Sequence, residues 1–256
     1  MTGRDEYYNR SKQEGYRARS AYKLKQLDEA ADLFAPGDAV VDLGAAPGGW
    51  LQVAAEAVGA AGTVVGVDRQ RIRPLDAENV ETIRGDMTDE ETVDRLRDVV
   101  GSGGVDVVVS DMAPNMTGEY SVDHARSIHL ARQALDVALD LLEPGGDLVV
   151  KVFDGPDLAD LRSDVDESFE YVRSIRPDAS RDSSSELYLV AKGYLTAPVA
   201  AGDELTVEIT DEGREGDGIA RVEGFTVFVA DADVGEEVTV RIEDVKPRFA
   251  FAERLD

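Results

Sequence analysis

Up to Leu195 the apolar residues of this chain follow two alternating rhythms. Short apolar runs at Ala39–Leu43, Thr63–Val67, Val80–Arg84, Val105–Ser110, Asp147–Phe153, Tyr171–Ile175 and Glu186–Ala191 read as strands. Between several of them, stretches with helical spacing lie at Trp50–Val58, Glu90–Val100, Asp123–Leu142 and Leu158–Phe169. Such alternation predicts an α/β fold: a mainly parallel, doubly wound, Rossmann-like sheet with helices on both faces, whose ligands bind outside the carboxyl ends of the strands. Ahead of the first strand, Ser11 and Glu14 form a capping-box pattern. Leu24, Leu27, Ala31 and Phe34 repeat at helical spacing, so one helix is expected to run to about Leu33 and to end at Pro36-Gly37. The pattern changes after Leu195. Thr196–Gly202 reads as a linker, and Glu204–Ile209, Gly218–Val222, Thr226–Val229 and Glu237–Ile242 read as short strands punctuated by glycines. The expected organisation is a domain over 1–195 and a small closed or nearly closed β-barrel over 196–256.

The run Asp42-Leu43-Gly44-Ala45-Ala46-Pro47-Gly48-Gly49-Trp50 follows the first strand directly and opens a helix. Glycines there let the backbone approach a ligand, and the amides of the helix N-terminus point into the same space. Asp68 ends the second strand, where a carboxylate binds ribose hydroxyls, and Asp86 ends the third, where one could accept from an adenine amino group or simply close a surface turn. NAD and S-adenosylmethionine both fit a glycine turn followed by a distal acid. The turn lacks the glycine, one residue, glycine spacing of a dinucleotide fingerprint, and Ser110-Asp111-Met112-Ala113-Pro114-Asn115 places an acid and a proline turn after the fourth strand, so the methyl donor is favoured. Trp50 is the only tryptophan, and a lone tryptophan is more often a core anchor than a ligand contact.

Charge sharpens the picture. The formal net charge is −26, from 53 acidic and 27 basic residues, and the acids are spread along the chain as expected for a surface adapted to a salt-rich cytosol. Against that background the first 25 residues are net +4 and interleave Tyr7, Tyr8, Tyr16 and Tyr22 with their basic side chains. That mixture suits phosphates and stacked bases, or a basic helix packed on an acidic body. Only six residues are lysines, and Lys151 lies within the apolar run Val149-Val150-Lys151-Val152-Phe153, where an unpaired charge is poorly tolerated. There is no cysteine, and His124 and His129 are five apart on a helix rather than on one face, so no protein-bound metal is expected. No apolar stretch is long enough to cross a membrane and no signal-peptide core begins the chain, so a soluble cytoplasmic protein is expected.

Arg19-Ser20-Ala21-Tyr22-Lys23-Leu24, Asp42 to Trp50, Ser110 to Asn115, Val150-Lys151-Val152-Phe153 and Ser185-Glu186-Leu187-Tyr188 together resemble, in order, the motifs of the FtsJ family of RNA ribose 2′-O-methyltransferases. The form resembled acts on a uridine of large-subunit (23S) ribosomal RNA. Gly216-Asp217-Gly218-Ile219-Ala220-Arg221, Gly224 to Val229 and Gly235 to Val238 resemble a TRAM domain, an OB-like barrel. The resemblance implies S-adenosyl-L-methionine contacts at Gly48, Trp50, Asp68, Asp86 and Asp111, and a catalytic set of Lys151, Lys23, Asp111 and Glu186. It also implies ribosomal RNA within the large subunit as partner, and a monomer is expected. In chemical terms, a ribose hydroxyl is a poor nucleophile until its proton leaves, so the enzyme must align and deprotonate it. Lys151 is the expected proton acceptor, with Asp111 and Glu186 orienting the lysines and Lys23 positioning the ribose or its phosphate. The bland alternative is a structural ion pair between Lys151 and Glu186 on neighbouring strands. Transfer RNA as substrate, and a non-catalytic RNA-binding assembly factor, are the alternative functions. In the barrel, Arg214, Arg221, Arg241, Lys246 and Arg248 are the candidate RNA contacts, set among 16 acidic residues from Thr196 onward.

Overall fold

Seven strands in the order β3-β2-β1-β4-β5-β7-β6 form the first sheet of the computed structural model, which describes residues 4–101, 103–181, 184–213 and 216–255. They are β1 (Ala39–Leu43), β2 (Thr63–Asp68), β3 (Val80–Arg84), β4 (Val105–Ser110), β5 (Leu142–Phe153), β6 (Phe169–Ile175) and β7 (Glu186–Tyr194). All neighbours pair in parallel except β7, which runs antiparallel to both β5 and β6. The near-continuous Val/Leu runs of β1, β2, β4 and β5 follow from burial on both faces. Because β1 is flanked by β2 and β4, the strand order reverses there, and the crevice at the carboxyl ends of β1 and β4 is the topological switch point.

Helices cover both faces. α4 (Glu90–Val100), α5 (Tyr120–Leu141) and α6 (Leu158–Asp166) pack on one, around Leu96, Ala131, Leu135, Leu148, Val150 and Leu161. α2 (Ala21–Ala31) and α3 (Gly49–Val58) pack on the other, around Leu24, Leu27, Leu51, Val149 and Tyr188. The single N-terminal helix expected from the sequence is instead two, α1 (Arg4–Glu14) and α2, separated by Gly15 at φ +81°. Ser11 is no cap: it is buried within α1 and its hydroxyl donates to the Tyr8 carbonyl. The break lets the segment between the helices lie against the glycine turn, where a Cβ on Gly49 would come within 3.1 Å of the Ala18 Cβ.

The second sheet has six strands in the order β8-β12-β13-β11-β10-β9. These are β8 (Glu204–Glu208), β9 (Asp211–Glu212), β10 (Gly218–Val222), β11 (Phe225–Val229), β12 (Glu237–Val245) and β13 (Phe249–Arg254). The sheet curls around Val207, Ala220, Val227, Val240, Ala250 and Ala252, with the segment after β8 bonded back to β10 through Thr210 N–H and the Ile219 carbonyl. It docks at the amino-terminal end of β5: Lys246 pairs with Glu170 at 3.3 Å, and Arg248 donates to the Pro144 carbonyl at 3.3 Å. A cleft of about 510 Å³ lies at this junction, lined by Asp38, Asp106, Asp147, Lys192, Pro247 and Arg248 among others.

Candidate active site

The glycine turn is built by its neighbours. Gly44 sits at φ +81°, and a Cβ there would fall 2.2 Å from the Met112 Cγ, so the segment after β4 closes directly over the end of β1. Gly48, at φ +104°, immediately precedes α3 as its N-cap. Asp68 ends β2 and holds the turn, its Oδ2 accepting from the Ala46 N–H at 2.9 Å while Oδ1 accepts from Gln70 N–H at 2.7 Å. Each carboxylate oxygen can still accept a further bond, which suits ribose hydroxyls. Asp86, at the end of β3, accepts from the Thr88 N–H and hydroxyl and lies 3.4 Å from Arg69. The Thr88 bonds and the Arg69 charge hold its carboxyl below the usual range despite partial burial. Arg17 ties the interhelical segment to this side, donating to the carbonyls of Pro47, Arg73 and Pro74. Trp50 is buried, donates from its indole N–H to the Ser20 carbonyl at 2.8 Å and packs on Tyr188, with ring centroids 5.8 Å apart.

The four candidate catalytic side chains converge beside that turn. Asp111 follows β4, Lys151 lies near the carboxyl end of β5, Glu186 starts β7 and Lys23 projects from the first turn of α2. Register explains the meeting. Lys151 is paired with Tyr188 and Phe153 with Glu186, and side chains two apart share a face, so Lys151, Tyr188 and Glu186 all point towards α2 and α3. Lys151 Nζ donates to Asp111 Oδ1 at 2.8 Å and to the Asp111 carbonyl, while Lys23 Nζ pairs with Glu186 at 2.6 Å and reaches Asp111 Oδ1 at 4.0 Å. Lys151 and Glu186 therefore have different partners, and the structural pair between them is not formed. Lys23, Lys151 and Glu186 are each nine-tenths buried or more, and two lysine amines face two carboxylates, so each buried group has a partner of opposite kind.

Tyr188 belongs to the same cluster and sequence reading left it in a motif without a role. Its hydroxyl donates to Asp111 Oδ1 at 2.6 Å, and its ring lies under Lys23 Nζ, 5.8 Å from the centroid. It lies two residues after Glu186 on the same strand face and directly opposite Lys151, a placement that only the register reveals. Burial, then the charges of Asp111 and Glu186, push the Tyr188 phenol well up, so it stays a donor. Burial also opposes ionisation of Asp111, yet the Lys151 and Lys23 charges with hydrogen bonds from Lys151 and Tyr188 outweigh it and hold its carboxyl below the usual range. Asp42, deep in β1, is different: burial, with Asp111 and Asp68 nearby, pushes its carboxyl well up, and its Oδ2 has no partner. An orphaned acid beneath a glycine cradle, flanked by two strand-end carboxylates, fits a ligand bearing hydroxyl and amino donors and a positive centre.

The remaining residues singled out in the sequence lie away from this cluster. His124 is buried, contacts the Phe153 carbonyl at 3.0 Å through Nδ1 and accepts from Asp157 N–H at Nε2. His129 is exposed on α5, and among the described residues no group of three or more His, Cys, Asp or Glu is arranged to hold a metal. In the barrel, Arg241 pairs with Glu204 and Glu253, Lys246 with Glu170 and Asp244, and Arg221 and Arg248 donate to protein acceptors. Arg214 lies outside the described residues. What sequence reading missed is an aromatic cluster: Phe228, Phe249 and Phe251 contact one another at 5.3–5.8 Å between centroids on the outer face of β11 and β13.

Both parts of the chain are similar to known proteins. Residues 16–194 match the FtsJ-like methyltransferase family, and residues 198–255 match the TRAM domain. The chain is 70% identical over 256 residues to the ribosomal RNA large subunit methyltransferase E of Halorubrum lacusprofundi, covering all of this chain and 95% of that one. The protein of the same description from Natronomonas pharaonis is 68% identical, with both chains covered in full. Among solved structures, a protein of Plasmodium falciparum described as a ribosomal RNA methyltransferase superposes with a TM-score of 0.62 at 26% identity, covering 70% of this chain and 98% of that one.

Proposed function

The chain belongs to the FtsJ-like methyltransferase family and carries a TRAM domain after its catalytic sheet, and on that premise we propose that it methylates the 2′-hydroxyl of a uridine ribose in large-subunit (23S) ribosomal RNA, using S-adenosylmethionine. The observation that carries the reading is the pair of buried contacts, Lys151 to Asp111 and Lys23 to Glu186, converging at the carboxyl ends of β4 and β5 beside the glycine turn. When bound, S-adenosylmethionine supplies a methyl group already activated by its sulfonium. Gly48 and Trp50, through the backbone at the start of α3, with Asp68, Asp86 and Asp111, are the residues that would hold it. Lys151, in its neutral form, accepts the ribose hydroxyl proton, and the ammonium so formed faces Asp111, which stays ionised. Glu186 fixes Lys23, which faces the ribose or its phosphate, while Asp111, itself held by the Tyr188 hydroxyl, fixes Lys151 in place.

RNA binding by so acidic a chain is a matter of range. At about 1 M salt the screening length is about 3 Å, so distant acids repel phosphate little and contacts at close range decide. The basic first segment and the aromatic cluster of the barrel supply such contacts. No described helix is long and apolar enough to cross a membrane, and the reading puts the protein with ribosomes in the cytoplasm, as a monomer.

The test is transfer of labelled methyl groups from S-adenosylmethionine, in molar KCl, to large ribosomal subunits lacking the modification and to transfer RNA. Label mapped to one ribose 2′-oxygen of the large-subunit RNA is the expected result. Label on transfer RNA alone would reassign the substrate. No label despite measured donor binding would favour a non-catalytic binder.

A further inference from the structure

Two of the most exposed large apolar side chains in the described structure, Met116 at 62% and Tyr120 at 58%, lie four residues apart in the segment that leads from Asp111 into α5. That segment is hydrogen-bonded to the first turns of α5 where it carries them. The Asp123 carboxylate accepts from the Thr117 N–H at 2.8 Å, the Thr117 hydroxyl at 2.8 Å and the Gly118 N–H at 3.0 Å, and Arg126 donates to the Asn115 carbonyl. At its start Met112 closes over Gly44. Tyr120 is fixed at both ends: its hydroxyl donates to the carbonyl of Asp154, three residues beyond Lys151, at 2.5 Å, and its ring stacks on buried His124, with centroids 6.3 Å apart and planes at 12°. The ring thus spans the two segments that leave β4 and β5, the strands that present Asp111 and Lys151, and it remains more than half exposed.

We propose that Met116 and Tyr120 form an apolar ledge that holds the base of the nucleotide being methylated. The inference rests on the functional reading above and deepens it. A ribose with its 2′-hydroxyl at Lys151 carries its base on the adjacent carbon, so the base must lie at the mouth of the same crevice. Single-stranded RNA is gripped by stacking unstacked bases on aromatic and flat apolar side chains. On an acidic surface at high salt, stacking keeps its strength where phosphate contacts are screened. The charged tetrad handles the hydroxyl, and the ledge supplies grip without charge. Its fixed attachment to the elements bearing Asp111 and Lys151 makes base placement and hydroxyl placement one event.

The test is a two-way comparison in molar KCl. An RNA fragment carrying the mapped target nucleotide, either intact or with its base removed, is titrated onto the wild type and onto a Met116→Ala/Tyr120→Ala variant. The wild type is expected to bind the abasic fragment about ten-fold more weakly, the worth of one stacked base, whereas the variant loses less than about two-fold. In methyl transfer the variant raises KM for RNA while calorimetric donor affinity stays at the wild-type value. Tyr120→Phe and Met116→Leu, which keep the apolar surface, restore binding. An equal abasic penalty in both proteins, with a wild type that methylates RNA, overturns the ledge alone. A wild type that methylates neither the fragment nor undermethylated large subunits overturns the functional reading and the ledge with it.

Discussion

Asp111 is where two lysines and a tyrosine meet, and Asp42 is the buried acid that none of them satisfies. The two carboxyls shift in opposite directions for that reason. Asp111 is depressed in the folded protein, so its contribution to stability is present above the ordinary carboxylate range and is lost only as pH falls through its lower folded value. Asp42 is raised, so it costs nothing below the ordinary range, and its cost grows as pH climbs from there towards the raised folded value. We therefore expect Asp42→Asn, in molar KCl without donor, to raise the melting temperature at pH 7, because the amide cannot ionise in the buried site. The gain should shrink as pH is lowered into the ordinary carboxylate range. The same variant should weaken donor binding if the orphaned oxygen is held for the ligand, which calorimetry reads separately. In sequence, Lys151 stood out because an apolar strand exposed its anomaly. Asp42 and Tyr188 did not, since an acid before a glycine turn and a tyrosine in a strand look ordinary until register and burial are known.

At the scale of elements, the turn after β1 and the segment after β4 form one device, because Met112 fills the space that a side chain at Gly44 would need. Gly44→Ala should both strain a backbone at φ +81° and push the Asp111 segment away, so we expect a large loss of donor affinity by calorimetry and at least a hundred-fold loss of turnover. Adding Met112→Ala should relieve the clash but not the backbone strain, so rescue should be partial. The central strands were legible because burial on both faces leaves unbroken Val/Leu runs. The early start of β5 was not, since Glu143-Pro144-Gly145-Gly146 reads as a turn although Leu142 pairs with Val105. The helix break at Gly15 was hidden for a related reason: periodicity reported which residues are buried, whereas the break is imposed by packing against the glycine turn. Strand β13 was missed because its pattern is inverted, with Ala250 and Ala252 facing the core while Phe249 and Phe251 face outward.

For the whole molecule, the barrel sits at the amino-terminal end of β5 while the tetrad lies at the opposite, carboxyl end. Any RNA held by the barrel is therefore held at a distance from the reacting ribose, and its contacts contribute binding rather than chemistry. We expect Phe249→Ala with Phe251→Ala to raise KM for ribosomal RNA by about ten-fold or more, with turnover at saturating RNA unchanged, in steady-state assays. That the chain carries two modules was legible in the change of rhythm after Leu195, but their docking was not, because it rests on single contacts such as Lys246 to Glu170 that no periodicity announces. The tetrad is the proposed reacting centre. The most direct test is single-turnover methyl transfer to undermethylated large subunits by Lys151→Ala, with donor and RNA both saturating and donor affinity measured alongside. A rate lower by about 10²–10⁴-fold, with donor affinity within a few-fold of the wild type, is the predicted result. A rate close to that of the wild type, or a loss explained entirely by failure to bind the donor, would contradict it.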